Sequence, residues 1–346
     1  MNQSSKVKMD KILVVNVNWL GDVIFSSAVF KALKEAYPTA KISCLAVPRV
    51  KEVLECIPDI DEIIIYDEDG QHKNPLAKLA LIGELRRHKF DSAFLLHRSL
   101  TRALLVFLAG IPIRVGSDTK GRGRFLTQPI KPLEKNVHRC DEYLHVIESY
   151  GINVRDRKTH LTVLESAQQE VKNILKKYSI GSDEFLIVIH PSGNWDLKRW
   201  PKENFTKLID HLMTAKSSRI VVTGSSADMI LVKEMIEPLN QKPIILTGQT
   251  DLKQLMALIK RANLLISADS GPLHLASSIG TRTIGLFGPT RPEITGPRGE
   301  GKSFLIAKDV GCNREACYHL QCPDNICMQS ITVMDVIDGI RQVQNS

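Results

Sequence analysis

At 346 residues, 43% hydrophobic and 24% charged, the chain is ordinary globular material too long for one core, so two domains are expected. The net charge of +8 is shared between the halves, 25 Lys and Arg against 20 Asp and Glu in residues 1–165 and 21 against 18 in the rest, which suits anionic ligands or an anionic membrane face. Only 5% of residues are aromatic, with no basic stripe among stacking side chains, so nucleic acid is not an expected partner. The N-terminus shows no signal-peptide pattern. The longest apolar segment, residues 103–113, contains Gly110 and Pro112 and is too short to span a bilayer, so a cytoplasmic location is expected.

In chain order, a buried-strand run at residues 11–18 leads through Trp19-Leu20-Gly21-Asp22 into a helix over 23–36 that ends before Pro38. Apolar runs at 42–47, 63–66 and 93–96 alternate with helical patterns near 50–56, 76–87 and 100–108. That alternation predicts a parallel, doubly wound sheet. Residues 115–126, with three glycines and Lys120, Arg122 and Arg124, interrupt the rhythm and are expected to form a mobile basic loop, either plain solvated surface or a seat for an acidic acceptor. Helices over 139–150 and 166–178 follow. A second series then starts with a strand over 185–190 and continues with helix 202–213, strand 219–223, helix 227–239, strand 243–246 and helix 252–261. The predicted organisation is one domain over 1–170, a second over 180–330, and a closing helix in 331–346, two doubly wound Rossmann-like α/β domains facing across a cleft.

Residues 264–292 carry the clearest signal. A strand ends at Asp269-Ser270-Gly271, a helical pattern begins with Pro272, Leu273 and His274, and a second strand covers 283–287. Ser270 stands where a helix N-cap would, and Pro272 falls in the first turn, where its missing N–H costs nothing. Backbone amides at such a corner suit a diphosphate, while Asp269 would repel phosphate but accept from sugar hydroxyls. Three further strand-end features converge on the same edge: Ser192 with Gly193, the mobile cation Lys198, and Gly224 with Ser225. Together they predict a nucleotide pocket. A G-x-G-x-x-G fingerprint is absent, since the first strand is followed by Asn16-Val17-Asn18-Trp19-Leu20-Gly21, which argues against an oxidoreductase.

Two other patterns bear on metals. Asp67-Glu68-Asp69 matches a D-x-D of metal-dependent glycosyltransferases, a three-residue match that chance supplies easily in an acidic loop. Cys312, Cys317, Cys322 and Cys327 recur every five residues and could enclose a structural metal, or be free thiols in a compact loop.

Gly21-Asp22, Lys198-Arg199-Trp200-Pro201, the 269–276 stretch, and Gly288-Pro289-Thr290 with Pro292 resemble, in order, the motifs of glycosyltransferase family 9, the ADP-heptose:lipopolysaccharide heptosyltransferases, and most closely the heptosyltransferase II branch. The resemblance implies a GT-B fold and inverting, metal-independent transfer from ADP-heptose to the inner core of a lipopolysaccharide precursor. By motif, Asp22 matches the general base, Lys198 the residue stabilising the donor phosphate, Asp269 a ligand of the heptose hydroxyls, and Ser270 to His274 the diphosphate turn. The acceptor would lie in the first domain and the donor in the second, with the enzyme peripheral at the inner membrane and no cofactor required. Pro272-Leu273 departs from the Leu-Met of many members. Alternatives are a transferase using another nucleotide sugar and a non-catalytic nucleotide-sugar-binding module.

Overall fold

The computed structural model describes residues 8–133, 136–193, 195–215, 218–312, 317 and 322–345. The chain divides into two compact units, residues 1–160 and 161–346. Residues 161–170, expected in the first domain, therefore belong to the second, because the helix they open packs there.

The first unit runs β1 (Lys11–Val15), α1 (Leu20–Ala36), β2 (Lys41–Ala46), α2 (Lys51–Leu54), β3 (Glu62–Ile65), α3 (Pro75–His88), β4 (Ser92–Leu95), α4 (Leu100–Leu108), β5 (Ile113–Ser117), β6 (Gln128–Ile130) and α5 (Arg139–Glu148). Its six strands are all parallel in the order β3-β2-β1-β4-β5-β6. Successive side chains of a strand alternate between sheet faces. Leu13 and Val15 of β1 accordingly pack with Leu81, Leu85, Ala103 and Val106 of α3 and α4, whereas Ile12 and Val14 are equally buried on the opposite face. There α1 and α5 pack together.

The expected mobile loop over 115–126 is not found. Its first three residues complete β5, and Arg122–Phe125 form a 3-10 turn. Gly116, read as a loop residue, is a strand position against which β4 packs closely: a Cβ there would lie 3.1 Å from that of Leu95. Arg122 is fully buried, and its guanidinium donates to the carbonyls of Ser117 (2.6 Å) and His97.

The second unit runs α6 (Glu165–Lys177), β7 (Leu186–His190), α7 (Lys202–Thr214), β8 (Arg219–Val222), α8 (Met229–Ile236), β9 (Ile244–Ile245), α9 (Leu252–Arg261), β10 (Leu264–Ala268), α10 (Gly271–Ser278), β11 (Thr283–Phe287), α11 (Pro292–Thr295), β12 (Ser303–Ala307), α12 (Ile326–Gln329) and α13 (Val333–Asn345). Its parallel sheet has the order β12-β11-β10-β7-β8-β9, the same winding as the first. Helix α6 packs on α9. On the other face α7, α8 and α13 close a core that includes Ile187, Ile189, Phe205, Leu208, Val232 and Ile340. Trp200 lies within it, edge-on to Phe205 and donating from Nε1 to the Ile331 carbonyl at 2.8 Å, so the Trp200-Pro201 pair starts α7 and anchors it.

Candidate active site

An open parallel sheet binds ligands beyond the carboxyl ends of its strands, where the winding reverses. In the first unit that point lies between β1 and β4. A pocket of about 510 Å³ opens there, lined by residues that follow β1 (Val17 to Trp19, Asp22), residues that follow β4 (Leu96 to Leu100), Lys120, and three side chains of α5. Helix α1 begins at Leu20, three residues earlier than expected, because the Val23 amide closes a first turn on the Trp19 carbonyl at 2.9 Å. Asp22 thus sits inside the first helical turn, where the helix dipole favours its negative charge, and is not the N-cap. Its Oδ1 accepts from the Tyr143 hydroxyl at 2.7 Å. Burial and the Asp22 charge keep that phenol well above its usual range, hence a hydrogen-bond donor.

Charge is arranged around this carboxylate. Arg98 and Arg139 both pair with Glu142, the latter at 2.8 Å. Lys120 lines the same pocket with a left-handed backbone (φ 54°) and makes no ion pair among the described residues. His97, pushed down to about 4 by burial and by the charges of Arg102, Arg122 and Lys120, is neutral near pH 7. Of the three basic residues expected to hold an acceptor, only Lys120 reaches the pocket. Arg122 is consumed by backbone carbonyls, and the Arg124 guanidinium lies over the Phe125 ring at 4.9 Å. Arg98, Arg139 and Tyr143 were not anticipated.

Two residues of the acidic run 67–69 have partners within the first unit. Asp67 accepts from the Gly70 and Gln71 amides at 3.1 and 2.9 Å, capping a turn. Glu68 neutralises the buried Arg102 at 3.0 Å.

In the second unit the winding reverses between β7 and β10, and the loops after these strands meet through one ion pair. Lys198 Nζ lies 2.8 Å from Asp269 Oδ2 and 3.3 Å from the Asp269 carbonyl. His274 Nε2 stands 3.3 Å from the other carboxylate oxygen, and Thr295 donates to Oδ2 at 3.2 Å. Burial would push the Asp269 carboxyl up, but the bond from His274 and the Lys198 charge together hold it well below the usual carboxylate range. Ser270 is the N-cap of α10 by position, yet its hydroxyl pairs with that of Ser267 at 2.8 Å and makes no cap bond. Gly271 and Pro272 open the helix, while the Leu273 side chain is wholly buried and leaves only its backbone to the turn.

Beside this corner, Asp228 clasps two expected donor residues, accepting from Ser192 Oγ at 2.5 Å and from Ser225 Oγ and N at 2.6 and 2.8 Å. Gly224 packs closely here: a Cβ would stand 3.1 Å from side-chain atoms of both Asp228 and Thr247, which would have to shift by a few tenths of an ångström. Gly193 has open space, its nearest neighbour to a Cβ being Lys198 at 3.9 Å.

The four late cysteines line one cavity of about 410 Å³, and burial, with the neighbouring Cys322 and Cys317, pushes the Cys327 thiol up. Among the described residues, however, no three His, Cys, Asp or Glu side chains converge in a way that could hold a metal.

Two parallel six-stranded sheets of identical winding, each with a polar site where the winding reverses, give the GT-B fold. The chain belongs to glycosyltransferase family 9 (heptosyltransferase), whose profile matches residues 78–324, and it is therefore a glycosyltransferase. It is 28% identical over 307 residues to lipopolysaccharide heptosyltransferase 2 of Escherichia coli strain K12, covering 83% of this chain and 85% of that one. Among solved structures it is similar to the family 9 glycosyl transferase from Veillonella parvula DSM 2008 (25% identity, TM-score 0.84, 96% and 97% of the two chains). It is also similar to the E. coli ADP-heptose LPS heptosyltransferase II (25% identity, TM-score 0.78, 96% and 98%).

Proposed function

We propose that this protein transfers a heptose from ADP-heptose to the inner core of a lipopolysaccharide precursor, inverting the anomeric centre without a metal, at the cytoplasmic face of the inner membrane. The observation that carries this reading is Asp22, a carboxylate held by Tyr143 in a pocket edged with cations. Inverting transfer needs a base for the acceptor hydroxyl and positive or amide groups for the departing diphosphate. Asp22 supplies the first. Its carboxylate, oriented by Tyr143 on Oδ1, takes the acceptor proton as that hydroxyl attacks the anomeric carbon and the bond to the diphosphate breaks. Lys120, Arg98 and Arg139 suit phosphate or carboxylate groups of the acceptor.

Lys198 and the amides that open α10 supply the second requirement, the diphosphate drawing Lys198 from Asp269 and freeing that carboxylate to accept from heptose hydroxyls. The Ser192–Asp228–Ser225 cluster supports the donor loop from behind.

Asp22→Asn keeps the size and removes the base. Turnover of the purified variant should fall by on the order of 10² to 10⁴ with donor affinity little changed. Turnover within a few-fold of the parent would remove Asp22 from the chemistry. Full activity after exhaustive chelation is the expected outcome for metal independence.

A further inference from the structure

Within the first unit the positive charge is concentrated in one segment. Residues 73–131 of the first unit carry twelve Lys and Arg against three Asp and Glu, a surplus of +9 that exceeds the +8 of the whole chain. Arg102 and Arg122 are buried within it, but most of the remainder is displayed around two helices that also expose apolar side chains. Helix α3 turns Leu81, Ile82 and Leu85 into the core, yet its outward face presents Leu76 and Leu79, which are 78% and 59% exposed. It ends in Arg86, Arg87, His88 and Lys89, and Glu84 is the sole carboxylate between residues 73 and 90.

The end of α4 abuts the end of α3, where Arg86 Nη2 donates to the Leu108 carbonyl at 2.7 Å. Phe107 and Leu108 are 42% and 40% exposed there. The Phe107 ring packs against Phe125 at 5.4 Å, with the Arg114 and Arg124 guanidinium groups lying over these two rings. An apolar face framed by cations has two plausible occupants. A second copy of the chain fits poorly, because a two-fold contact would set these cations against themselves with few carboxylates to answer them.

We propose that the outer face of α3 and α4 docks on an anionic phospholipid bilayer, Leu76, Leu79, Phe107 and Leu108 entering the interface while the Lys and Arg side chains reach its headgroups. Among the described residues no helix is long and apolar enough to cross a membrane, so the contact is peripheral. Helix α4 starts at the Asp22 pocket, which Ser99 and Leu100 line, so this face would bring a lipid-borne acceptor to that pocket. Only this purpose rests on the proposed acceptor; the docking itself is read without turnover.

The test is sedimentation of the full chain with vesicles of phosphatidylcholine alone or with roughly 30% phosphatidylglycerol, at low and high salt. Binding is expected only to the anionic vesicles, weakened by salt, and reduced about tenfold or more by Leu76→Ser with Leu79→Ser and by Lys73→Gln with Arg87→Gln. All these side chains are exposed, so melting temperatures should match the parent. Equal binding to both vesicle types, or binding unchanged in either double variant, overturns the proposal. So does a dimer in sedimentation equilibrium that the leucine pair dissolves. On a lipid-free acceptor the leucine variant should turn over like the parent. If no protein transfers heptose but the vesicle results hold, the functional reading fails and the docking face stands.

Discussion

The 2.8 Å pair between Lys198 and Asp269 means that neither residue can be altered alone. Removing one partner of a buried pair leaves an unanswered charge, so Lys198→Ala should lower stability as well as donor affinity, and the two losses must be measured apart. In a double-mutant cycle, calorimetric affinity for ADP-heptose should fall about tenfold or more for Lys198→Ala, and Lys198→Ala with Asp269→Ala should deviate from additivity by over about 1 kcal/mol. Additive losses would show two independent contacts. Tyr143→Phe offers a sharper probe of the base. Without the phenol the Asp22 carboxylate loses a hydrogen bond that favours its charged form, so the acid limb of kcat/KM should move to higher pH as turnover falls. An unmoved limb would leave Tyr143 a packing residue. As candidate site residues, Asp22, Lys198 and Asp269 were legible because each stands in the loop or first turn that follows a strand, beyond the carboxyl edge of its sheet. Tyr143 was not, since it reaches Asp22 from 121 residues away. Asp228, in the turn just ahead of α8, and Thr295, at the end of α11, reach their partners across 36 and 26 residues.

At the scale of elements, the helix that opens on the donor corner is held by backbone contact. A Cβ at Gly299 would fall 2.1 Å from the Ser277 carbonyl oxygen of α10, while the Gly299 amide donates to Ser277 Oγ at 3.0 Å and the Gly301 amide to the Ser277 carbonyl at 2.9 Å. Gly299→Ala must therefore displace α10 or the segment crossing it, with an expected cost of about 1 to 3 kcal/mol and a weakened donor site. A melting temperature and ADP affinity equal to the parent would show that the contact yields freely. The elements missed in the sequence share a physical cause. β5 and β6 were hidden by glycines and basic residues that suggested a loop, although Gly116 is there for close packing and Arg122 points inward. β12, at the sheet edge, is only half buried, and its short apolar run, Phe304 to Ala307, stands between glycine-rich and charged residues. Central strands were read correctly because burial on both faces leaves an uninterrupted apolar record, and the long helices because one buried stripe leaves apolar residues at helical spacing.

For the molecule as a whole, acid is the expected weak point. His190 is buried beside Thr223, and burial pushes it down to about 4 from 6.5, Asp228 opposing only in part. Between those values the unfolded chain binds a proton that the folded one refuses, so stability should fall as pH drops from 6.5 towards 4, by on the order of 3 kcal/mol at most. His190→Gln, which can keep the Thr223 bond without titrating, should lessen the fall in melting temperature over that interval and leave the share of the equally depressed His97; an equal slope in the variant would assign the loss elsewhere. The repeated winding of the two units also has a consequence in time. In each, the first strand made lies at the centre of its sheet, and its second neighbour is β4 for β1 and β10 for β7. Between 70 and 80 residues separate the members of each pair, so at synthesis rates of roughly 5 to 20 residues per second one edge of each central strand waits on the order of ten seconds for its partner. During that wait an apolar strand such as Lys11–Val15 presents open backbone to other nascent chains. Yield of this protein should therefore depend on translation speed and on holding chaperones more than its finished stability would suggest.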